Sequence, residues 1–155
     1  MNGLTLKLGP NERVLINGAV IENGARRISF TVKTPNTRIL RLRDAIHPDD
    51  VKTPVARACY IAQHCIAGTV HDGQGRKQLI IAIEQLSQVF NDRDSRMLLA
   101  TASEHAIANN PYRAMRKLKE LLPREARLLA VIEDTETDQS YVNSTDAGKA
   151  NISLQ

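Results

Sequence analysis

The chain has 155 residues, 42% of them apolar and 25% charged, a balance that suits one ordinary folded domain with its own core. Its 21 Lys and Arg against 17 Asp and Glu make it mildly basic, which allows nucleic acid as a partner but falls short of the charge density of a DNA wrapper. Two Phe, three Tyr and no Trp exclude a sugar-stacking platform and an RNA-recognition sheet built on aromatic base stackers.

The charge is unevenly spread. Residues 1–46 hold eight basic and three acidic side chains, residues 47–132 twelve and nine, and residues 133–155 one and five. The basic character therefore belongs to the part rich in large apolar residues, and the acidic end, poor in them, is expected to be a disordered tail. MNGLTLKLGP lacks the basic start and apolar core of a leader, and nowhere do about eighteen apolar residues run together. Cys59 and Cys65 suit reduced thiols better than a secreted disulfide scaffold, so a cytoplasmic protein with no membrane partner is expected.

In chain order, short runs rich in Val, Ile and Thr, punctuated by Asn17-Gly18 and Asn23-Gly24, predict strands at 4–8, 13–16, 19–22, 27–33 and 38–42. They are expected to form one small antiparallel sheet. Ile28, Phe30 and Val32 alternate with Arg27, Ser29, Thr31 and Lys33, and Leu40 and Leu42 with Arg41 and Arg43, which places the arginines on the wet face. After His47-Pro48 the period lengthens to that of a helix, with a stripe of Val55, Ala58, Cys59, Ala62, Cys65 and Ile66, opened by Thr53-Pro54 and closed by Gly68. HDGQG reads as an interhelix turn before a helix from Arg76 to Phe90. Further helices are predicted from Ser95 to Asn109, from Tyr112 to Leu122 after Asn110-Pro111, and from Pro123 to Ile132. The expected class is α+β in three parts: a β-rich RNA-binding subdomain over 1–46, an α-helical subdomain over 47–132, and the tail over 133–155.

Chemistry is sparse. Cys59, His64, Cys65 and His71 are zinc-ligand types, but six residues of helix rotate the side chain by roughly 600°, setting the two thiols about 120° apart. Gly73 and Gly75 lack the remaining glycine and the Gly-Lys-Ser/Thr of a phosphate loop. No nucleophile, base and acid form a recognisable set, and no carboxylate pair sits on an apolar background. His105 is read as a boundary or core histidine. The chain is accordingly read as a non-enzyme without metal or cofactor. The basic groups say more: Arg41 and Arg43 fall on one side of a strand, where guanidinium forks reach phosphates or base edges. A second face carries Arg113, Arg116, Lys117 and Arg124 opposite Tyr112, Met115, Leu118 and Leu122, available to RNA or to an acidic partner once the apolar stripe is buried.

Residues 4–32, LTLKLGPNERVLINGAVIENGARRISFTV, followed by KTPNTRILRLRDAI and TPVARACYIAQ, resemble the FlbT family of flagellin regulators, with the most specific match at Glu12-Arg13-Val14 and Ile16-Asn17-Gly18-Ala19. That resemblance extends over nearly all of residues 4–130. It implies a non-enzymatic cytoplasmic repressor, or in some members an activator, that associates with the 5′ untranslated region of flagellin mRNA and alters its translation or degradation. The partners it implies are that RNA leader, the small flagellar protein FlaF and flagellin, and it leaves room for a homodimer. A second, shorter resemblance joins Leu4–Gly9, Val32–Pro35 and Leu42–Ile46 to the ends of CsrA, a five-stranded RNA-binding regulator. It implies a surface shared by the first and last strands, with Arg43 as the principal contact and Lys7 beside it. Ala45 departs from that pattern where an acid is expected, and Leu6 where a base is. The alternative to direct RNA contact is a protein-binding adaptor that docks FlaF or flagellin through its helical face.

Overall fold

Leu6 and Leu8 alternate with Thr5 and Lys7, a period of two that lets one face of a strand be buried while the other stays wet. In the computed structural model, which describes the backbone of residues 3–153 and the side chains of residues 3–71 and 73–140, that strand is β1 (Leu4–Leu8). It pairs antiparallel with β4 (Ile28–Val32), Lys7 opposite Ser29 and Leu8 opposite Ile28. The hairpin of β2 (Arg13–Ile16) and β3 (Ala19–Glu22) turns on Asn17 and Gly18, whose φ values of 48° and 86° are those of the expected type I′ turn. The short strand β5 (Ile39–Arg41) closes the far side of β2, Val14 opposite Arg41.

The single sheet expected from the sequence is therefore two: β1 with β4, and β3–β2–β5. The reason lies at Asn23-Gly24. Asn23 is not in the left-handed region that a hairpin turn needs; it is buried, and its Nδ2 donates to the carbonyls of Leu8, Gly9 and Arg26 at 3.3, 2.7 and 2.9 Å. The chain consequently leaves β3 for the other sheet instead of folding back beside it.

Helix α1 (Pro54–Ala67) starts where expected, with Thr53 Oγ1 accepting from the Ala56 amide, and stops at Gly68, whose φ of 76° suits a residue without Cβ. Helix α2 (Asp72–Val89) begins four residues earlier than predicted, because HDGQG is its first turn and not a loop. Gly75 is needed there for closeness: a Cβ at this position would lie 2.8 Å from Cys65 Sγ of α1. Helix α3 (Arg93–Ile107) is capped by Asp92 and α4 (Pro111–Lys119) by Asn110, each accepting a backbone N–H through its side chain. The stripes meet in one core. Val55, Cys59 and Ala62 of α1, Leu79, Ile83 and Leu86 of α2, Leu99 of α3, and Met115 and Leu118 of α4 are all buried, as are Leu8, Val14 and Leu40 of the strands.

The strands and α1–α4 form one compact unit that ends at Leu121, so residue 46 separates two kinds of secondary structure and not two bodies. A second unit is helix α5 (Leu122–Ser153), which continues through residues 133–153, where the sequence leads one to expect a disordered tail. Residues 124–147 contain neither Pro nor Gly to interrupt the ladder. The hydroxyls of Thr135, Thr137 and Ser140 bond back to the carbonyls of Val131, Glu133 and Thr137.

Asn23→Ala leaves three backbone carbonyls without their shared donor, and is expected to lower unfolding free energy by about 1–3 kcal/mol with an unchanged denaturant slope. A urea midpoint equal to that of the unsubstituted protein would show that the crossover does not depend on this side chain.

Candidate functional site

Gly9-Pro10-Asn11-Glu12 is a turn by composition, Pro fixing its second position and Asn11 tolerating φ of 58° at its third. The Glu12 amide closes it on the Gly9 carbonyl at 3.3 Å, and the Glu12 carboxylate folds back to accept from the Gly9 amide at 2.8 Å through Oε2. Oε1 then faces two guanidiniums, Arg41 Nε at 3.4 Å and Arg43 Nε at 3.5 Å. The Glu12 side chain is only 13% exposed, and neither its Oε1 nor Arg41 Nε has a hydrogen-bond partner, so ion pairing is what satisfies both. The Gly9 amide first, and the two arginines after it, hold the Glu12 carboxyl below the ordinary carboxylate range against the opposing effect of desolvation.

Arg41 is not on the wet face. Its side chain is 21% exposed, and its Nη2 donates to the Lys7 carbonyl, joining the end of β5 to the end of β1 across the gap between the two sheets. Arg43 no longer shares a strand with it, since β5 stops at Arg41 and Leu42–Asp44 form a single 3-10 turn. That turn is held in place from the helices. The Gln63 side chain of α1 accepts from the Ile46 amide at 2.7 Å and donates to the Ile46 carbonyl at 3.3 Å, while Lys119 Nζ of α4 donates to the Asp44 carbonyl. Arg43 itself stays 59% exposed.

The result is a cleft of 530 Å³ where the end of β1, the start of β4 and the end of β5 converge on the Gly9–Glu12 turn. Lys7, Arg41 and Arg43, the three residues singled out in the sequence, all line it. So does Arg27, which sequence reasoning placed on the wet face without a role, together with Ser29 and Ile28. Four cations and one carboxylate thus line the cleft, and Lys7 and Arg27 have no ion pair among the described residues. Glu12 itself was missed, although a signal existed: it is the one acid in residues 1–21.

The second basic face is less unified. Arg113 and Arg116 are exposed on α4, and Lys117 pairs with Glu120 at 3.5 Å. The helix ends at Lys119, so Arg124 and Leu122 belong to α5 instead. Met115 and Leu118 are fully buried while Tyr112 remains 39% exposed, which gives most of the apolar stripe to the protein's own core. Cys59 is buried among the helices, and no group of three potential metal ligands occurs among the described residues. No helix there is long and apolar enough to cross a membrane.

A small two-sheet β layer packed with a helical layer, with a cationic cleft at the strand ends, makes the chain an α+β protein. The family model described as flagellar protein FlbT matches residues 4–129, and the chain belongs to that family. A probable flagellum biosynthesis repressor protein FlbT from Rhodopseudomonas palustris strain TIE-1 is 29% identical over 129 residues, covering 82% of this chain and 98% of its own. One from Caulobacter sp. strain K31 is 25% identical over 126 residues, covering 81% and 95%. The flagellum biosynthesis repressor protein FlbT of Caulobacter vibrioides strain CB 15 is 25% identical over 122 residues, covering 79% and 86%. No solved structure matches the chain.

Because the folded-state pKa of Glu12 is depressed, its ionised form contributes stability above the ordinary value of 4.5, a contribution lost as pH falls through the lowered value. Glu12→Gln is therefore expected to lower the melting midpoint at pH 7, with the gap to the unsubstituted protein closing below pH 4.5. A gap of constant size from neutral to acid pH would mean that charge at Glu12 contributes nothing to the fold.

Proposed function

We propose that this protein is a post-transcriptional regulator of flagellin synthesis, acting in the cytoplasm by direct association with the 5′ untranslated region of flagellin mRNA, whose translation or degradation it alters. The observation that carries the reading is the cleft, in which Lys7, Arg27, Arg41 and Arg43 outnumber the single carboxylate of Glu12. Such an excess of cationic donors at strand ends suits phosphodiester oxygens. The names of the Rhodopseudomonas and Caulobacter relatives, flagellum biosynthesis repressors, support the regulatory role. The protein need do no covalent chemistry for this: occupancy of a leader excludes ribosomes or exposes the message to nucleases.

The two central arginines divide the work. Arg41 ties the sheets together and presents little free surface, whereas Arg43 is exposed on a turn pinned by Gln63 and Lys119. Arg43→Ala is expected to weaken binding of a flagellin leader RNA by about 1–3 kcal/mol with little change in melting midpoint, and Arg41→Ala to lower both affinity and midpoint. Filter binding and thermal melts on the same preparations check this. Full affinity in the Arg43 variant would remove the cleft from the RNA surface.

A second reading, an adaptor that docks FlaF or flagellin, is favoured by the exposed Arg113 and Arg116 on α4. Under direct RNA binding, affinity falls with salt along a finite log–log slope, and changing Arg113, Arg116 and Lys117 together to Glu leaves the fold intact while weakening FlaF association more than RNA binding. Calorimetric titration with FlaF and gel shift with leader RNA separate the two. RNA affinity abolished by the triple change and untouched by Arg43→Ala would move the RNA surface to α4.

A further inference from the structure

Helix α5 belongs to a unit of its own, and its described side chains from Ala126 to Ser140 are all exposed. Within five positions four of them are large and apolar: Leu128, Leu129, Val131 and Ile132 keep 39%, 38%, 62% and 46% of their surface exposed. A lone helix is marginal in water, and a cluster of exposed branched side chains on it marks a face that packing against another surface would stabilise. At about 100° per residue, Val131, Leu128 and Ile132 span about 100° of the circumference, the width of a helix-packing stripe. The charges beside that stripe say what covers it. Arg127 and Asp134 are seven residues apart, a rotation of about 700°, so they stand on one flank of the stripe, about 20° apart around the helix and about 10 Å apart along it. That is about twice the 5–6 Å between side chains that neighbour each other on a helix surface, too far for the two to pair within one copy. Neither has an opposite charge three or four positions away on α5, and neither has an ion pair among the described residues.

We propose that α5 pairs antiparallel with α5 of a second copy of this chain, about a two-fold axis passing near residues 130 and 131, so that Leu128, Val131 and Ile132 of the two copies cover one another and Arg127 of each meets Asp134 of the other. Positions 127 and 134 lie equally far from that axis on either side, so in an antiparallel pair each falls level with the other, and symmetry makes the contact twice. Their place on the flank of the stripe is the one from which charged residues set partner and orientation in paired helices. Charge also selects the direction. Residues 133–140 carry four acids and no base, whereas the two bases of α5 before them, Arg124 and Arg127, precede the stripe. A parallel pair would set acidic half against acidic half and Arg127 against its own copy, while the antiparallel pair sets each acidic half against the basic beginning of the other helix. The apolar contact is short, so the dimer is a reversible one. It uses no residue of the cleft and stands or falls independently of the RNA-binding reading.

The test is the oligomeric state of the full chain, followed by analytical ultracentrifugation from about 1 μM to 1 mM at one low salt concentration. A monomer–dimer equilibrium is expected, abolished by Leu128→Asp. Arg127→Glu and Asp134→Arg, made separately, each place two like-charged pairs in the interface and are each expected to weaken dimerisation about tenfold. The chain carrying both changes has the two charges exchanged and is expected to dimerise within about twofold of the unsubstituted protein. Helix content by circular dichroism is expected to stay the same in all three charge variants, whose altered side chains are exposed. A single chain at every concentration overturns the proposal. A dimer that neither single charge change weakens overturns the antiparallel pairing of α5 and assigns the dimer to another surface, and so does a doubly changed chain no stronger than the singly changed ones. Joint loss of dimer and helix content in the Arg127→Glu chain, with neither regained on adding Asp134→Arg, overturns it as well.

Discussion

One carboxylate in an otherwise cationic neighbourhood holds the β layer of this protein together. Glu12 sits at the end of a Pro-Asn turn that it helps to close, and from there its second oxygen faces Arg41 and Arg43. Without it the end of β5 would bring two guanidiniums together beside Lys7 and Arg27 with nothing to offset their repulsion. With it, Arg41 can extend to the Lys7 carbonyl and bind one sheet to the other by side chain where no backbone ladder connects them. The Gly9 amide and the two guanidiniums offset the cost of taking the Glu12 carboxylate out of water.

From that tie the rest of the site follows. The cleft lies at the strand termini, and the turn carrying Arg43, one of its lining residues, is fixed from the helical layer by Gln63 and Lys119. The helices thereby hold the Arg43 turn in position as well as supplying much of the core. Residues far apart in the chain are joined directly there, Lys119 of α4 donating to the carbonyl of Asp44 next to Arg43.

Much of this was legible locally. The five strands, the type I′ turn at Asn17-Gly18, the Thr53-Pro54 and Asn110-Pro111 caps and the Gly68 stop are dictated by residues within a few positions of each other, and the structure has them where the sequence puts them. Strand partners are not dictated that way. Asn23-Gly24 has the letters of a hairpin turn, yet the three carbonyls that claim Asn23 belong partly to residues 8 and 9, and no local pattern announces them. Gly75 misled for the same reason: its helical place depends on Cys65 of another helix. Of the site, Lys7, Arg41 and Arg43 were visible as charges and by resemblance, but alternation assigned Arg41 to solvent when a carboxylate 29 positions earlier had drawn it inward.

The most direct test of the central claim, that the strand-end cleft is where RNA is held, is to ask where RNA touches the protein. Flagellin leader RNA carrying 4-thiouridine is crosslinked to the full chain by long-wavelength light, digested, and the modified peptides identified by mass spectrometry. Crosslinks are expected within residues 4–12 and 27–33, the segments that border the recess, and are expected to vanish on Arg43→Ala. Crosslinks confined to residues 111–119 of α4, with none in the β layer, would contradict the account.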